Sequence, residues 1–587
     1  MSDQSVTGAI WREEKTDAAR VEGLVSGAGM PIAAAILAAN RGLSRDDIAT
    51  WIDPKIRDLM PDPSSMTDMD KMVTRLAKAV CENEKIGIFG DYDVDGASSA
   101  AILHDILTPL GCSVSIHIPD RYQEGYGPNL PALLKLKDQG CTLIITVDCG
   151  ITAHGPIADA VDHGLDVLII DHHIAGPDLP RAHAVVNPNR LEDDGSLGHL
   201  AAAGVCFMVM AGLLRQLRQD GAFANTPQPD LMASLDLVAL ATVCDVVPLL
   251  GLNRAFIRSG LVVMAKRNRL GLAALADASG LDRAPDIAAL GFMLGPRINA
   301  GGRIGDSSLG VSLLITQNLD EAGKIAAKLD ALNTRRKEIE RDVTAQSIAQ
   351  LEGSDDLVMM AAAEGWPHGV VGISASRVKS RFEKPAAIIS IEKTPDGKII
   401  GKGSARSLAP FKMGGAIIAA TQQGLLLAGG GHDMAAGFTL DMEKLADFQQ
   451  FMNDRARNEF GQDTPVIERE VSAPLAAGAA DLALLDWLDR LGPFGTGFPE
   501  PSFILKSVTM DGLRSMGGDA AHRSMRLKDQ SGSLKAVAFR VAGTPIAEAL
   551  DQVADGRPFD VLGKISRNNY QGRVSVQFLI DDIRHVS

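Results

Sequence analysis

Short apolar segments that alternate with helical stretches are the feature that most restricts how residues 85–186 can fold. The predicted strands are Lys85–Phe89, Ser113–Ile118, Leu143–Val147, Val167–Ile170 and Ala184–Val186. Helical patterns such as Ala97–Leu107 and Leu130–Gln139 separate them. Strands that are apolar on both faces and joined by helices form parallel sheets covered on both sides. The sequence therefore predicts an α/β domain with a mostly parallel sheet.

Acidic residues directly follow three of these strands. The first strand leads into Gly90-Asp91-Tyr92-Asp93-Val94-Asp95-Gly96, another into Asp148-Cys149-Gly150, and the next into Asp171-His172-His173. Parallel strands present their carboxyl ends at one edge of the sheet, so these side chains are expected in one crevice. Because crowded, partly desolvated carboxylates repel one another, the pattern predicts a bound cation there.

The donor types indicate which cation. Carboxylate oxygens with one imidazole suit Mg²⁺ or Mn²⁺, whereas structural zinc sites are usually closed by thiolates and histidines. There are more carboxylates than one ion needs, which predicts two divalent cations of the kind used in phosphoryl displacement. Asp245, which follows the apolar helical run Leu231–Val243, is a further candidate ligand.

The rest of the chain predicts additional domains. A helical pattern over Leu319–Leu351 indicates a connecting helix, and a second α/β segment follows with strands at Leu357–Ala361 and Ala386–Ile391. Residues 501–587 hold 12 Lys or Arg against 9 Asp or Glu and are strand-like, which favours an OB-like β-barrel facing nucleic acid. The predicted division is a helical lead-in (1–70), the first α/β domain (71–316), the connecting helix (317–352), the second α/β domain (353–462) and the barrel domain (463–587).

Composition limits the class of protein. Of 587 residues 46% are hydrophobic, and the six cysteines form no CxxC pair, as expected for reduced thiols. No apolar run reaches membrane-spanning length, so we expect a cytoplasmic protein without a membrane partner. The net charge of -15 does not exclude a nucleic-acid partner, because a metal-dependent hydrolase concentrates carboxylates at its site.

Several motifs together resemble one superfamily. They are GDYDVDG (90–96), DCG (148–150), DHH (171–173), DLVALATVCDVVPL (236–249), GPRINAGGRIGD (295–306) and GGGHDMAAGF (429–438). The set resembles the DHH phosphoesterase superfamily with its associated DHHA1 domain. Its order and spacing are similar to those of the RecJ single-strand exonucleases. The resemblance implies two α/β domains, DHH and DHHA1, joined by a long helix and followed by the OB-like barrel.

The resemblance also implies roles for individual residues at the acidic cluster. It assigns a scissile-phosphate contact to His173 and a bridging position between two ions to Asp148. It places Asp91 close to or within the metal shell. The implied metal ligands are Asp93, Asp95, Asp148, His172 and Asp245.

Candidate phosphate-binding residues lie outside the acidic cluster. Arg121 and Arg303 stand on glycine-rich or turn segments where a guanidinium can bind phosphate through two hydrogen bonds, and similarity to RecJ implies that they hold the substrate backbone. Ser376 and Arg377 lie near a predicted helix start, and His432 follows a triple glycine. The resemblance places Ser376 and Arg377 at the terminal 5′ phosphate, and His432 is predicted to complete that pocket.

Aromatic and basic residues in the C-terminal region are candidates for contacts with unstacked bases and their backbone. The aromatic candidates are Phe539, Tyr570 and Phe578, and the basic ones are Arg526, Lys564, Arg567 and Arg573. Aromatic residues of a small barrel also form its core, so stacking and packing both remain open for each ring.

The function predicted from these features is a single-stranded-DNA-specific 5′-to-3′ exonuclease of DNA repair and recombination, which releases 5′-mononucleotides by two-metal hydrolysis. Single-stranded DNA is the expected partner, with a single-strand-binding protein and a helicase as further ones. One alternative is a DHH phosphoesterase acting on oligoribonucleotides or cyclic dinucleotides. Another is a catalytically inactive, replication-associated binding protein.

Overall fold

The protein is described by a computed structural model, which covers residues 4–121, 123–460, 467–518, 521–553, 556–570 and 572–586. Its described parts form two compact units. The catalytic unit, as we name it, comprises residues 60–247 and 256–465. The barrel unit comprises the described parts of 1–59, 248–255 and 466–587.

The elements are numbered in chain order. The strands are β1 (Ile10–Glu13), β2 (Lys85–Gly90), β3 (Ser113–His117), β4 (Leu143–Val147), β5 (Asp166–Ile170), β6 (Ala184–Val186), β7 (Met359–Glu364), β8 (Ala386–Lys393), β9 (Ile399–Arg406), β10 (Ala428–His432), β11 (Ala435–Asp441), β12 (Glu468–Val471), β13 (Ala473–Pro474), β14 (Phe503–Met516), β15 (His522–Asp529), β16 (Gly532–Ala538), β17 (Phe559–Tyr570) and β18 (Arg573–His585). The α-helices are α1 (Ala18–Ala28), α2 (Ile32–Asn40), α3 (Ile48–Ile52), α4 (Ile56–Leu59), α5 (Met69–Cys81), α6 (Val94–Leu107), α7 (Leu130–Asp138), α8 (His154–Asp162), α9 (Ala202–Gln219), α10 (Leu235–Cys244), α11 (Gly251–Ala265), α12 (Leu270–Ala278), α13 (Gly295–Ile304), α14 (Ser308–Ile315), α15 (Leu319–Leu351), α16 (His368–Phe382), α17 (Met413–Gln422), α18 (Leu445–Phe460), α19 (Leu482–Leu491) and α20 (Pro545–Gln552). A π-helical turn at Ala289–Leu294 leads into α13.

The first sheet of the catalytic unit is parallel throughout, in the order β3-β2-β4-β5-β6. Its inner strands are buried along almost their whole length, because apolar side chains point to both faces and helices cover them. The register pairs Gly90 with Val147 and Val147 with Ile170, so β2, β4 and β5 end side by side. The predicted parallel α/β sheet is confirmed, and its carboxyl edge carries the acidic residues.

A buried arginine binds two carboxylates at the amino-terminal edge of this sheet. Arg75 on α5 donates two hydrogen bonds to Glu84, at 2.8 and 2.9 Å, and one of 2.8 Å to Asp166 at the start of β5. The Thr142 hydroxyl donates a further hydrogen bond to Glu84. Hydrogen bonding to Arg75 holds the pKa of Glu84 below its usual value despite partial burial. The network therefore connects α5 to the amino ends of the strands.

The second sheet of the catalytic unit has the order β10-β11-β9-β8-β7, in which only β7 and β8 run parallel. The helix α15 precedes it and packs along α16 through an apolar cluster that includes Val343, Val371 and Ala375. The long helix predicted from the sequence is present, and it leads from the first α/β domain into the second.

The barrel unit contains the predicted OB-like barrel. Its sheet runs β13-β14-β15-β16-β18-β17, and pairing of β14 with β17 closes it. The strand β1 pairs in parallel with β12. The Trp11 indole donates to the buried carboxylate of Asp582 on β18 at 3.0 Å. The fully buried Arg254 lies over the Trp51 ring, 4.2 Å from its centroid, and donates to the carbonyls of Leu491 and Gly492.

Two further observations concern the cysteines and the helices. All six cysteines are free, and four of them are buried. Among the described residues, no helix combines the length and the apolar character that crossing a bilayer requires.

Replacing Arg75 with Met should lower the free energy of unfolding by about 3 kcal/mol, because Glu84 loses its main partner in a partly buried network. The pKa of Glu84 is depressed in the fold, so the pair stabilises above the ordinary Glu pKa and its contribution disappears as pH falls through the depressed value. The difference between variant and wild type should therefore shrink in acid. Calorimetry of both proteins at pH 7 and below about pH 4 measures this difference in the free energy of unfolding. The exposed Arg335, replaced in the same way, should change stability by less than about 0.5 kcal/mol.

Candidate metal centre and phosphate-binding residues

The loop after β2 brings two carboxylates back toward the sheet edge. Asp93 begins α6, and its Oδ1 accepts hydrogen bonds from the amides of Asp95 and Gly96 at 2.9 and 3.1 Å. A side chain at Gly96 would meet the backbone of Asp91 within 2.4 Å, so the turn requires glycine there. Asp95 is buried in the first turn of α6 and accepts the amides of Ala202 and Ala203, at 2.7 and 2.8 Å, at the start of α9.

The strand β4 ends in a strained turn that points Asp148 into the same place. Asp148 has a φ of 60°, a left-handed conformation that is rare for a residue with a side chain, and Gly150 follows with a φ of 116°. The amide of Asp148 donates to the Ile170 carbonyl at 3.0 Å, which continues the pairing with β5 by one residue. Such strain persists only when the surroundings fix it, and it is characteristic of functional sites.

The residues predicted as ligands lie close enough together to share metal ions. Three groups have one donor atom from each member within 4.8 Å of the others. Asp148 belongs to two of these groups. The groups are Asp91 with Asp93 and Asp148, Asp95 with His172 and Asp245, and Asp148 with His172 and His173.

Two buried polar atoms at this point have no hydrogen-bond partner among the described residues. They are Oδ1 of Asp91 and Nε2 of His172. His172 Nε2 lies 3.3 Å from Asp148 Oδ1, 3.5 Å from Asp245 Oδ2 and 3.8 Å from Asp95 Oδ2. Buried polar atoms are normally satisfied, and an imidazole nitrogen ringed by carboxylates fits a shared oxygen-and-nitrogen cation site. The residues present therefore fit Mg²⁺ or Mn²⁺.

Electrostatics indicate the same need for positive charge. Burial, and then the neighbouring carboxylates, raise the pKa of Asp148 and of Asp91 well above the ordinary value. The same causes raise the pKa of Asp245 to about 8. Without a cation, the raised pKa values favour the protonated forms of these groups, and a divalent ion would displace protons from them.

Asp171 is an exception among the three acidic strand ends, because its carboxylate turns toward a histidine. It is fully buried and accepts a 2.7 Å hydrogen bond from His173 Nδ1, together with the amides of Ile151 and His172. Burial lowers the pKa of His173, but the hydrogen bond and charge of Asp171 outweigh it and raise that pKa to about 9. The other ring nitrogen of His173 lies 3.5 Å from the Tyr126 hydroxyl.

Arg121 and Arg303 stand next to the acidic loop. The Arg121 guanidinium lies over the ring of Tyr92, the residue between Asp91 and Asp93, at 5.1 Å from its centroid. Arg303 is partly buried and donates to the Gly369 carbonyl at 2.8 Å. Burial and the charges of Arg121 and Arg336 lower the pKa of Arg303 to about 10, so several guanidinium groups are close to one another.

The three residues predicted at the terminal phosphate lie in the second α/β domain, but in different settings. Ser376 donates to the Gly372 carbonyl within α16, and Arg377 Nε donates to Glu340 at 3.1 Å. His432 is exposed at the end of β10, where its Nδ1 accepts the Met434 amide. Ser376 and Arg377 thus share one helix, whereas His432 lies on the edge strand of the sheet.

Comparison with known proteins finds three family models along the chain. The model described as the DHH family N-terminal domain matches residues 85–242, the DHHA1 domain matches 355–458, and the RecJ OB domain matches 471–582. The single-stranded-DNA-specific exonuclease RecJ of Salmonella typhimurium is 35% identical over 570 residues, which cover 93% of this chain and 95% of that protein. The chain belongs to the RecJ exonuclease family.

Other RecJ proteins agree in sequence and fold. RecJ of Bacillus subtilis is 34% identical and is matched over 97% of this chain and 70% of its own length. The crystal structure of Thermus thermophilus RecJ in complex with Mn²⁺ is 28% identical, covers 98% of this chain and 80% of its own, and has a TM-score of 0.83. The same protein in complex with Mg²⁺ has a TM-score of 0.76 at 26% identity, covering 98% of this chain and 78% of its own.

In this RecJ family member the barrel differs in detail from the sequence interpretation. Phe578 is fully buried in the barrel core and cannot stack on a base, whereas Phe539 is 52% exposed. The side chain of Tyr570 lies outside the described residues. Lys564 is paired with Glu500 at 2.7 Å, and Arg567 with Asp489 at 2.7 Å and with Asp486. These two cations are therefore already neutralised by carboxylates of the barrel unit.

Sequence reasoning missed Tyr126 and three charged residues that the fold brings to these sites, and it missed the role of Asp171. Asp171 was expected among the acidic strand ends but accepts a hydrogen bond from His173, which Tyr126 contacts at the other ring nitrogen. Arg406 on β9 packs against Gly372 of α16, and Arg336 and Glu340 lie buried on α15. The available signal was that Arg336 and Glu340 fall on the apolar side of a helix whose other charges face outward.

Replacing Asp148 with Asn should abolish hydrolysis while it stabilises the metal-free protein. Because the pKa of Asp148 is raised in the fold, the folded state holds a proton that the unfolded chain releases, so wild-type stability falls as pH rises above about 4. The variant should show a weaker fall. Mn²⁺ at about 100 times its Kd should stabilise wild type by about 2.7 kcal/mol per site, and the variant by less. Melting curves with EDTA and with Mn²⁺ test both statements. Near-normal turnover by the folded variant would contradict the site.

Proposed function

We propose that this RecJ family member removes nucleotides from the 5′ end of single-stranded DNA by using two divalent cations, Mn²⁺ or Mg²⁺. One observation carries the proposal. The carboxylates that follow β2 and β4 lie with His172 in one buried cluster, and the guanidinium groups of Arg121 and Arg303 lie next to that cluster. A negative pocket for cations next to positive groups for phosphates is the arrangement that phosphodiester hydrolysis requires.

The acidic cluster would hold the metal ions. Asp148 and His172 each belong to two of the three donor groups, and of the two we propose Asp148 as the bridging ligand because a carboxylate has two oxygens to share between ions. Asp91 would complete or closely support the shell. Bound divalent ions supply activation of water and neutralisation of the phosphate charge. The proposed ligands are Asp93, Asp95, Asp148, His172 and Asp245.

His173 would contact the scissile phosphate. Asp171 fixes its ring by accepting from Nδ1, which leaves Nε2 directed toward the Tyr126 hydroxyl and available to a phosphate oxygen. A histidine held by a buried carboxylate is a stronger hydrogen-bond donor to an anion than a free one, because the imidazolium form is stabilised.

The arginines would align the strand. Arg121 and Arg303 beside the acidic loop would hold the backbone next to the cleaved bond, and Ser376, Arg377 and His432 would receive the terminal 5′ phosphate. This places the 5′ end beyond the metal centre, in the second α/β domain, so successive cuts would proceed from 5′ to 3′ and release 5′-mononucleotides. The position of Arg377 on α16, with its side chain 67% exposed, supports this assignment.

The polarity test uses DNA labelled at its 3′ end. The labelled fragment should shorten stepwise with wild type, because a 3′-to-5′ enzyme would instead release the label at once. Arg377→Ala should slow cleavage of 5′-phosphorylated strands by on the order of tenfold and leave 5′-hydroxyl strands less affected. Asp93→Ala should stop cleavage of both. Early loss of the label, or equal attack on blunt duplex, would refute the assignment.

The barrel would bind the strand through Arg526 and Lys535, neither of which forms an ion pair among the described residues, although Asp511 of β14 is opposite Arg526 on its other side. Arg526 on β15 and Lys535 on β16 are directly opposite each other. Like charges placed opposite each other destabilise a sheet unless an anion lies between them. They line a groove of about 600 Å³ together with Ser533, Ser575 and Asp481, whose carboxylate caps α19 by accepting the Leu484 amide. Charge and hydroxyl donors in one groove suit a nucleic-acid backbone.

Replacing Arg526 and Lys535 together with Ala should weaken binding of long single strands and flatten its salt dependence by about 0.7 in log–log slope for each lost phosphate contact. Turnover at saturating DNA should change little. The matched control replaces the neutralised pair Lys564 and Arg567. Fluorescence anisotropy over a salt series measures the DNA affinity of both variants. Equal losses of affinity and of salt dependence in the two variants would exclude this groove as the DNA-binding surface.

Location and partners follow from the same activity. We propose a cytoplasmic enzyme, which the free cysteines support. A single-strand exonuclease depends on strands that another protein has unwound. A helicase and a single-strand-binding protein are therefore the proposed partners in DNA repair and recombination.

A further inference from the structure

A buried carboxylate lies within the group of arginines of the second α/β domain. Glu340 on α15 is 8% exposed, and each of its oxygens binds a different arginine. Oε2 accepts from Arg336 Nη1 at 3.0 Å, and Oε1 accepts from Arg377 Nε at 3.1 Å. The contact with Arg377 joins α15 to α16.

The geometry of this contact leaves the phosphate-binding end of Arg377 available. Glu340 takes only the Nε hydrogen, so the two terminal nitrogens of Arg377 remain as a fork that the side chain, 67% exposed, can offer to an anion. A free arginine side chain loses rotamer entropy when it is fixed. A carboxylate that fixes the guanidinium in advance removes part of this cost from phosphate binding.

Three further hydrogen-bond donors on α15 and α16 have no acceptor among the described residues. Arg336 Nε, Asn333 Nδ2 and the Ser374 hydroxyl are buried and have no hydrogen-bond partner among the described residues. Arg336 donates Nη2 to Asn333 Oδ1, so these two side chains are linked to Glu340. Unsatisfied buried donors beside arginines indicate an acceptor of negative charge.

A buried Glu340 carboxylate without a cationic partner would strongly destabilise the fold. The role of Glu340 therefore depends on the two arginines that it binds. A helical Arg–Glu pair with the arginine four residues earlier contributes only a small stabilisation on a surface. Burial raises the cost of the charge, and the second arginine on another helix compensates it. Burial lowers the pKa of Arg336, Glu340 opposes that shift, and the charge of Arg377 adds to it. Without Glu340, Arg336 and Arg377 would therefore repel each other.

We infer that Glu340, which is itself held by Arg336, is a positioning residue that orients Arg377 to receive the terminal phosphate and thereby sets the preference for 5′-phosphorylated over 5′-hydroxyl ends. This inference rests on the proposed placement of the 5′ phosphate near Arg377. It predicts that loss of Glu340 acts only through Arg377 and only on phosphorylated ends.

The test is a double-mutant cycle on the full-length protein with Mn²⁺, using 3′-labelled strands of one sequence with a 5′ phosphate or a 5′ hydroxyl. Glu340→Gln should reduce the ratio of kcat/KM for the two ends by on the order of tenfold, mostly through KM of the phosphorylated strand. Arg377→Ala should reduce the ratio at least as much. The double variant should be no worse than Arg377→Ala alone, because both changes remove one interaction.

The controls separate positioning from structure. Glu338→Gln, on the exposed side of the same helix, should leave the ratio and the melting temperature unchanged. Glu340→Asp keeps the charge and shortens its reach, so it serves if Glu340→Gln does not fold, and it should lower the ratio in the same direction. Equal loss for both ends, or independent effects of the two changes in the cycle, would overturn the inference. If Arg377→Ala leaves the ratio unchanged, the proposed phosphate pocket itself is wrong.

Discussion

Mutual repulsion among buried carboxylates is the constraint on which the rest of the catalytic unit depends. The parallel sheet brings Asp91 and Asp148 together because adjacent strands end in register, and α6 and α9 add Asp95 to the same pocket. The backbone amides that Asp93 and Asp95 accept do not neutralise the charge of the cluster, and two buried polar atoms have no partner among the described residues. The fold thus holds the carboxylates together at a free-energy cost that divalent cations would offset.

The positive groups near the cluster complement this arrangement. Arg303 lies between the acidic loop and α16, so a phosphate bound to it, as we propose, would be close to both α/β domains. The connecting helix α15 places Arg336 and Glu340 in contact with α16 through Arg377. Under the proposed function, α15 is therefore part of the substrate-binding region as well as a link between domains. A shift of α15 against α16 would change how a strand is held, even with the metal centre intact.

Local pattern was sufficient to predict the sheet and its acidic edge. Apolar runs define strands, and acidic residues after them must lie at one edge, so Asp93, Asp95 and Asp148 were found from sequence. Asp171 was expected among them, but the loop geometry that turns it to His173 is not encoded in the spacing. Glu340 resembled an ordinary surface charge, since its burial depends on packing against α16. Lys564 and Arg567 were expected to be free because their acidic partners are 64 to 81 residues away.

The contact between Trp11 and Asp582 has a consequence for biosynthesis. The two residues are 571 positions apart, and β1 has its partner strand in β12. At typical translation rates of about 5–20 residues per second, the first strand waits on the order of a minute for the residues that complete its surroundings. The catalytic unit emerges from the ribosome before that, which allows the barrel unit to close last. An exposed apolar N-terminal segment during this interval is a natural substrate for chaperones.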